Sequence, residues 1–268
     1  MSKKIIQGKP KPAKSSQTPE LLFYGQHICE KLAERRRADI IRVYCTEELM
    51  PQFKPLLQWC AGNRKAYHIV TSKDLEKIAG SVHHEGIAIL ARQPVYRSLR
   101  DLEQLLKARE AERLPLLYLD GVQNPHNIGT IMRVMASFGW PYVVGPKTMA
   151  PMSAAAARMS EGGAEFVEVF AADSGLAFCD WAKGLGYAIY GTSSHEASSL
   201  YETKLPDRLV IVLGHEVHGM SKEVERKLDK RLAIPTSGQV ESLNVAVATG
   251  ILAGEYTRQH KLLRGAWR

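Results

Sequence analysis

The sequence predicts an α/β protein with a parallel-sheet domain in its C-terminal part and a smaller α/β domain ahead of it. Three observations carry this. After Pro115 come continuous apolar runs, Leu116 to Leu119, Tyr142 to Val144, Phe166 to Phe170, Tyr187 to Tyr190, Leu209 to Leu213 and Leu232 to Ile234. Strands apolar at successive positions are buried on both faces, as in a parallel sheet covered by helices. Between the runs lie stretches of helical period, Asn127 to Phe138, Ser153 to Met159, Leu176 to Leu185, Lys222 to Leu228 and Ser242 to His260, so strand and helix alternate. A highly charged segment separates this alternation from an earlier, shorter one.

Residues 1–20 carry Lys3, Lys4, Lys9, Lys11 and Lys14 with Pro10, Pro12 and Pro19. They hold too little apolar surface to recover the entropy of ordering and read as a disordered basic tail. Residues 21–95 form the small domain. It consists of an amphipathic stretch from His27 to Arg37, a strand from Ile40 to Tyr44, a helix around Phe53 to Trp59, a short strand from Tyr67 to Val70, a helix capped by Thr71 or Ser72, and a strand from Gly86 to Leu90. In residues 96–113, Leu99, Leu102, Leu105 and Leu106 recur at helical spacing, which predicts a linker helix. Residues 114–268 form the larger domain.

With 268 residues, 45% hydrophobic and 24% charged, the chain is long enough for two cores and is neither collagen-like nor a disulfide scaffold. Cys29, Cys45, Cys60 and Cys179 contain no C-x-x-C pair and follow no secretory signal, which predicts reduced thiols in a cytosolic protein. No apolar run approaches the ~20 residues of a membrane-spanning helix. The net charge is +8, and residues 1–113 hold 21 basic and 13 acidic residues against 15 and 15 in the remainder. All the excess therefore lies in the N-terminal part, which suits contact with a polyanion or, more plainly, solubility.

Ligands of doubly wound sheets sit beyond the carboxyl ends of the strands. Three such loops stand out. In the first, Asp120 to Arg133, Asn127 is a candidate N-cap. Arg133 lies six residues further on among Ile131, Met132, Val134 and Met135, where a cation needs either an exit to solvent or an anionic partner. The second, Leu213 to Ser221, imitates a phosphate loop, but Met220 replaces the lysine and Glu216 is acidic, so a nucleoside-triphosphate site is not expected. It is either a tight turn where backbone approaches a ligand beside the Glu216 acceptor, or a structural turn with Glu216 starting a helix. In the third, Ile234 to Ala248, Ser242 can cap the last helix and Asn244 falls in its first turn. Ala246, Ala248, Gly250, Ala253 and Gly254 let that helix pack closely, within the chain or on a second copy. His83, His84, His215 and His218 lack further ligands at a recognised spacing, so no metal is expected. No G-x-S-x-G elbow occurs.

Together these loops resemble the SpoU (TrmH) family of RNA ribose methyltransferases, of the knotted methyltransferase superfamily. Its motif N-x-G-x-x-x-R stands here as Asn127, Gly129 and Arg133. The motif G-x-E-x-x-G stands as Gly214, Glu216 and Gly219, and I-P-x-x-G-x-x-x-S-L-N as Ile234, Pro235, Gly238, Ser242, Leu243 and Asn244. The region from Tyr24-Gly25-Gln26-His27 to His84-Glu85-Gly86-Ile87-Ala88 is similar to the family's substrate-binding domain. Departures are Asn124-Pro125 for Asp-Pro, Thr236 for a methionine and Ala246 for a serine.

The resemblance implies a deep trefoil knot formed by the last two loops, and S-adenosylmethionine bound there against Gly214, Ile234 and Leu243. It implies methylation of a ribose 2′-hydroxyl in ribosomal or transfer RNA, and a homodimer in which Arg133 serves the other subunit's pocket. Asn127, Glu216, Ser242 and Asn244 would orient Arg133, the loop and the RNA. A guanidinium with a pKa above about 12 cannot act as a base, so Arg133 is expected to act as an electrostatic clamp. Arg35, Arg36, Arg37, Arg42, Arg64 and Lys65 offer a surface for RNA phosphates. The alternative is an RNA-binding assembly factor with this fold but no methyl transfer.

Overall fold

A computed structural model of the chain describes residues 18–112, 114–193 and 197–263, so most of the expected basic tail lies outside the described residues. A four-stranded sheet comes first. It is built from β1 (Glu20–Tyr24), α1 (Gln26–Arg35), β2 (Ile40–Cys45), α2 (Met50–Gly62), β3 (Ala66–Ile69), α3 (Ser72–Ala79) and β4 (Ile87–Arg92). The strand order is β1-β4-β2-β3, with β4 antiparallel to both neighbours and β3 parallel to β2. β1 was not expected. Its short apolar run becomes a strand only by pairing with the distant β4, and it begins at Glu20, inside the expected tail. Thr71, not Ser72, caps α3, its Oγ1 accepting from Asp74 N at 3.2 Å.

The second sheet contains β5 (Arg97–Ser98), β6 (Leu116–Asp120), β7 (Tyr142–Pro146), β8 (Glu168–Ala172), β9 (Ala188–Thr192), β10 (Ser198–Ser199), β11 (Leu209–Gly214) and β12 (Lys230–Ala233). Its order is β10-β12-β9-β11-β6-β7-β8-β5, and every neighbouring pair is parallel, as the apolar runs predicted. β8 starts two residues later than expected because Gly163–Phe166 winds into a 3₁₀ turn. Both faces are covered. Leu117 and Leu119 of β6 join a core with α5 (Pro125–Ser137), α6 (Ala154–Met159) and α9 (Val245–His260). Leu116 and Tyr118 join one with α4 (Leu99–Ala108), α7 (Gly175–Gly184) and α8 (Lys222–Glu225). Within residues 96–113, Arg97–Ser98 pair with β8 as the sheet's last strand, and Leu102 of α4 is fully buried.

The two sheets are tied together. Arg36 donates from Nε and Nη2 to the Glu165 carboxylate at 2.5 and 2.9 Å, and Gln93 Nε2 donates to Met152 O at 2.5 Å. One apolar core runs from Phe23 and Leu32 through to Met132 and Ala156.

Candidate active site

Strands β6 and β11 are neighbours where the strand order reverses, and the first two loops leave their carboxyl ends side by side. In the first loop the helix starts earlier than expected. Asn124, not Asn127, is the cap, its Oδ1 accepting from His126 N at 2.9 Å. Pro125 has no N–H to lose at the first helical position and keeps the residue before it out of helical conformation. Asn127 is thereby released from capping. In the third loop the cap is Asn244 and not Ser242. Asn244 Oδ1 accepts from Ala246 N at 2.9 Å and Val247 N at 3.4 Å, while Ser242 stays exposed ahead of the helix.

These two shifts bring the loops together. Asn244 Nδ2 donates to Asn127 Oδ1 at 3.0 Å, and Asn127 Nδ2 donates to Glu216 Oε1 at 2.7 Å. The ends dictate the direction of the chain. Backbone N–H groups can only donate and an ionised carboxylate can only accept, so both amides have a single consistent orientation. The positive end of α9 thus faces the Glu216 charge through two side chains, one from each remaining motif.

The second loop folds on itself. His215 and Gly219 exchange backbone hydrogen bonds at 2.9 Å, and Gly219 has φ 69°, a left-handed conformation that favours glycine. A side chain on Gly214 would sit 2.4 Å from Gly219 C and Met220 N. Asp120 at the end of β6 accepts from Ser221 N at 2.6 Å and pins the loop's far end. Sequence reasoning did not single out Asp120; a lone carboxylate closing an apolar run was the available signal. The rings of His215 and His218 stack with centroids 4.7 Å apart, and His215 Nδ1 accepts from Val217 N and His218 N. Among the described residues no group of three or more His, Cys, Asp or Glu is placed to hold a metal.

Other expected site residues are placed apart from this chain of hydrogen bonds. Ile234 and Leu243 are half-buried, Ile234 packing on the edge of the core. Gly129 lets α5 approach α6, since a Cβ there would lie 2.2 Å from Ala156 O. Arg133 is exposed, with Gly163 pressed against its Cα. Six residues separate it from Asn127, which sets it about 120° round the helix. Gly250 of α9 meets Val134 of α5 and Gly254 meets Phe138 at the end of that helix, so these two small residues serve packing within the chain.

The six expected phosphate contacts divide. Arg36 is a correction. All three of its guanidinium nitrogens are used within the chain, on Glu165, Asp39 and Arg92 O, and its side chain is only 19% exposed. Arg35 lies over Phe166 and Arg37 over Trp59, both exposed. Arg42 and Arg64 are exposed and Lys65 is half-buried.

Comparison with known proteins finds the profile of the SpoU rRNA Methylase family over residues 115–254, and that of RNA 2'-O ribose methyltransferase substrate binding over residues 22–97. An uncharacterized tRNA/rRNA methyltransferase of Escherichia coli O157:H7, YfiF, is 36% identical over 252 residues, covering 94% of this chain and 72% of its own. The 23S rRNA (guanosine-2'-O-)-methyltransferase RlmB of Vibrio parahaemolyticus is 32% identical over 245 residues, covering 88% and 96%. Among solved structures, an AdoMet-bound rRNA methyltransferase from Sinorhizobium meliloti superposes with a TM-score of 0.75 at 20% identity, covering 89% and 87%, which is a likeness of fold.

Proposed function

The chain belongs to the SpoU rRNA methylase family, and from that premise we propose that it methylates a ribose 2′-hydroxyl of ribosomal or transfer RNA, with S-adenosylmethionine as donor. The observation that carries this is the hydrogen-bonded chain Glu216, Asn127, Asn244, which takes one residue from each of the three motif loops.

The third and second loops fit the cofactor. Ile234 and Leu243 offer half-buried apolar surface beside the exposed segment 235–242, and the missing side chain at Gly214 lets the second loop close tightly on its own backbone. Gly214, Ile234 and Leu243 would hold the adenosyl group. When bound, the cofactor supplies an activated methyl group and its leaving group. Asn127 and Asn244 hold Glu216 as a fixed acceptor in advance, so no ordering is left for the moment of reaction. Arg133 clamps an RNA phosphate and favours negative charge developing on the hydroxyl oxygen. Exposed Ser242 orients the RNA. The position of Arg133, away from Asn127 around α5, supports its delivery into the pocket of a second copy.

A homodimer through α9 has its own support, since Val247 on that helix is 52% exposed while Gly250 and Gly254 face inward. We further propose that the second and third loops are threaded as the family's trefoil knot, that Arg35, Arg37, Arg42, Arg64 and Lys65 meet RNA phosphates, and that the protein is cytosolic. Among the described residues no helix is long and apolar enough to cross a membrane.

The test is methyl transfer from labelled S-adenosylmethionine to RNA from cells lacking the protein, followed by mapping of 2′-O-methyl positions. Label at a defined ribose is expected. Cofactor binding by calorimetry without turnover on any RNA would instead assign an assembly factor.

A further inference from the structure

One face of the four-stranded sheet carries chemistry that the loops do not use. Along β2, Val43 and Cys45 are fully buried, whereas Arg42 is exposed and Tyr44 half-buried. β3 forms the sheet's edge and is exposed at all four positions. The parallel register sets His68 beside Tyr44, and their rings stack with centroids 5.5 Å apart and planes 21° apart. Arg42 Nη1 donates to the Tyr44 hydroxyl at 3.3 Å, so a guanidinium borders the stack. Lys65 directly precedes Ala66, which the register sets opposite Arg42, so a second cation stands at the same end of the strands.

A stacked aromatic pair on an open sheet face, edged by arginine and lysine, offers flat π surface and positive charge together. An unpaired nucleobase has an open π face and a phosphate within reach, and a duplex has no such face to give. A pair serving only the register of the edge strand needs no flanking cations. We propose that Tyr44 and His68 form a stacking platform for an unpaired base of single-stranded RNA, with Arg42 and Lys65 on the adjoining phosphates. The inference rests on the reading above for its substrate class and adds the sub-site that captures the strand away from the reacting ribose.

The experiment titrates the full chain with fluorescein-labelled oligouridylate of about ten nucleotides, long enough to span one small binding surface, and with a duplex of the same length. Tyr44→Leu/His68→Leu is expected to weaken single-strand binding about tenfold or more, with duplex binding and S-adenosylmethionine affinity unchanged. Tyr44→Phe keeps the ring and is expected to bind nearly as the parent. His68→Gln, on the exposed edge, leaves the core intact and is expected to weaken binding about fivefold to tenfold. Unchanged single-strand affinity in His68→Gln and the double variant overturns the platform, as does an equal loss for duplex. A parent protein that binds no S-adenosylmethionine overturns the methyltransferase reading instead, and the oligonucleotide titration still decides the platform.

Discussion

Asn244 Nδ2 and Asn127 Oδ1 stand 3.0 Å apart although 117 residues separate them in the chain. Asn244 does two tasks with two atoms, capping α9 through Oδ1 and holding Asn127 through Nδ2. Asn244→Asp keeps the capping acceptor and removes the donor. Thermal unfolding is expected to place this variant within about 0.5 kcal/mol of the parent, because aspartate caps as well as asparagine, while kcat falls about tenfold to a hundredfold. Asn244→Ala should lose a further ~1 kcal/mol of stability through the missing cap. Full turnover in Asn244→Asp would show that the relay is not used.

Arg133→Ala is expected to lower kcat by more than about a hundredfold, as removal of a charge stabiliser in a closed site does, with cofactor affinity nearly unchanged by calorimetry. Arg133→Lys should recover little, since a point charge lacks the planar fork. If Arg133 acts across a dimer, mixing it with a chain disabled at Glu216 restores activity in the mixed species. Absence of restoration places the arginine in its own pocket.

The Arg36 and Glu165 pair joins the two sheets with side chains 19% and 4% exposed. Glu165→Ala leaves a guanidinium with its main partner removed and is expected to cost about 3 kcal/mol in denaturant unfolding, the range for breaking a buried pair. Charge reversal of Arg35, its exposed neighbour, should cost less than about 0.5 kcal/mol. Because β1 and α1 share the core of α5 and α6, removing residues 1–95 would strip a packed face, so point substitutions are the cleaner probe of RNA capture.

Glu85 substitutes for the missing side-chain cap at Gly25, its Oε2 accepting from Gln26 N at 2.9 Å. That N–H holds the Glu85 carboxyl below its ordinary 4.5, with the Arg158 guanidinium adding to it and partial burial opposing. A carboxyl depressed in the folded state adds stability above its unfolded pKa and loses it as the pH falls through the folded value. Glu85→Gln is therefore expected to lower stability near pH 7 by up to ~1 kcal/mol and to flatten the stability profile below about pH 4.5. Equal pH profiles for parent and variant would remove Glu85 from the acid limb.

The longer strands of the second sheet could be read directly, because a strand buried on both faces is apolar at every position, as Leu209 to Leu213 is. Two-residue strands such as Arg97–Ser98 have no period to read. The caps at Asn124 and Asn244 were missed because each loop offers a rival candidate, Asn127 in the first and Ser242 in the third. In the first, the choice turned on Pro125, and in the third on hydrogen bonds across the fold. The motif residues were visible as types at spacings, but the sequence does not carry the direction of their amides. Arg36 could not be told from Arg35 and Arg37, since its partner lies 129 residues away.

The eight-stranded sheet ends at both borders in strands only two residues long, β5 and β10. An incoming chain finds almost no unsatisfied peptide ladder there on which to template itself, so this sheet resists growth into fibres or swapped assemblies by strand addition. Self-association of this half of the molecule is thereby steered to helical surfaces.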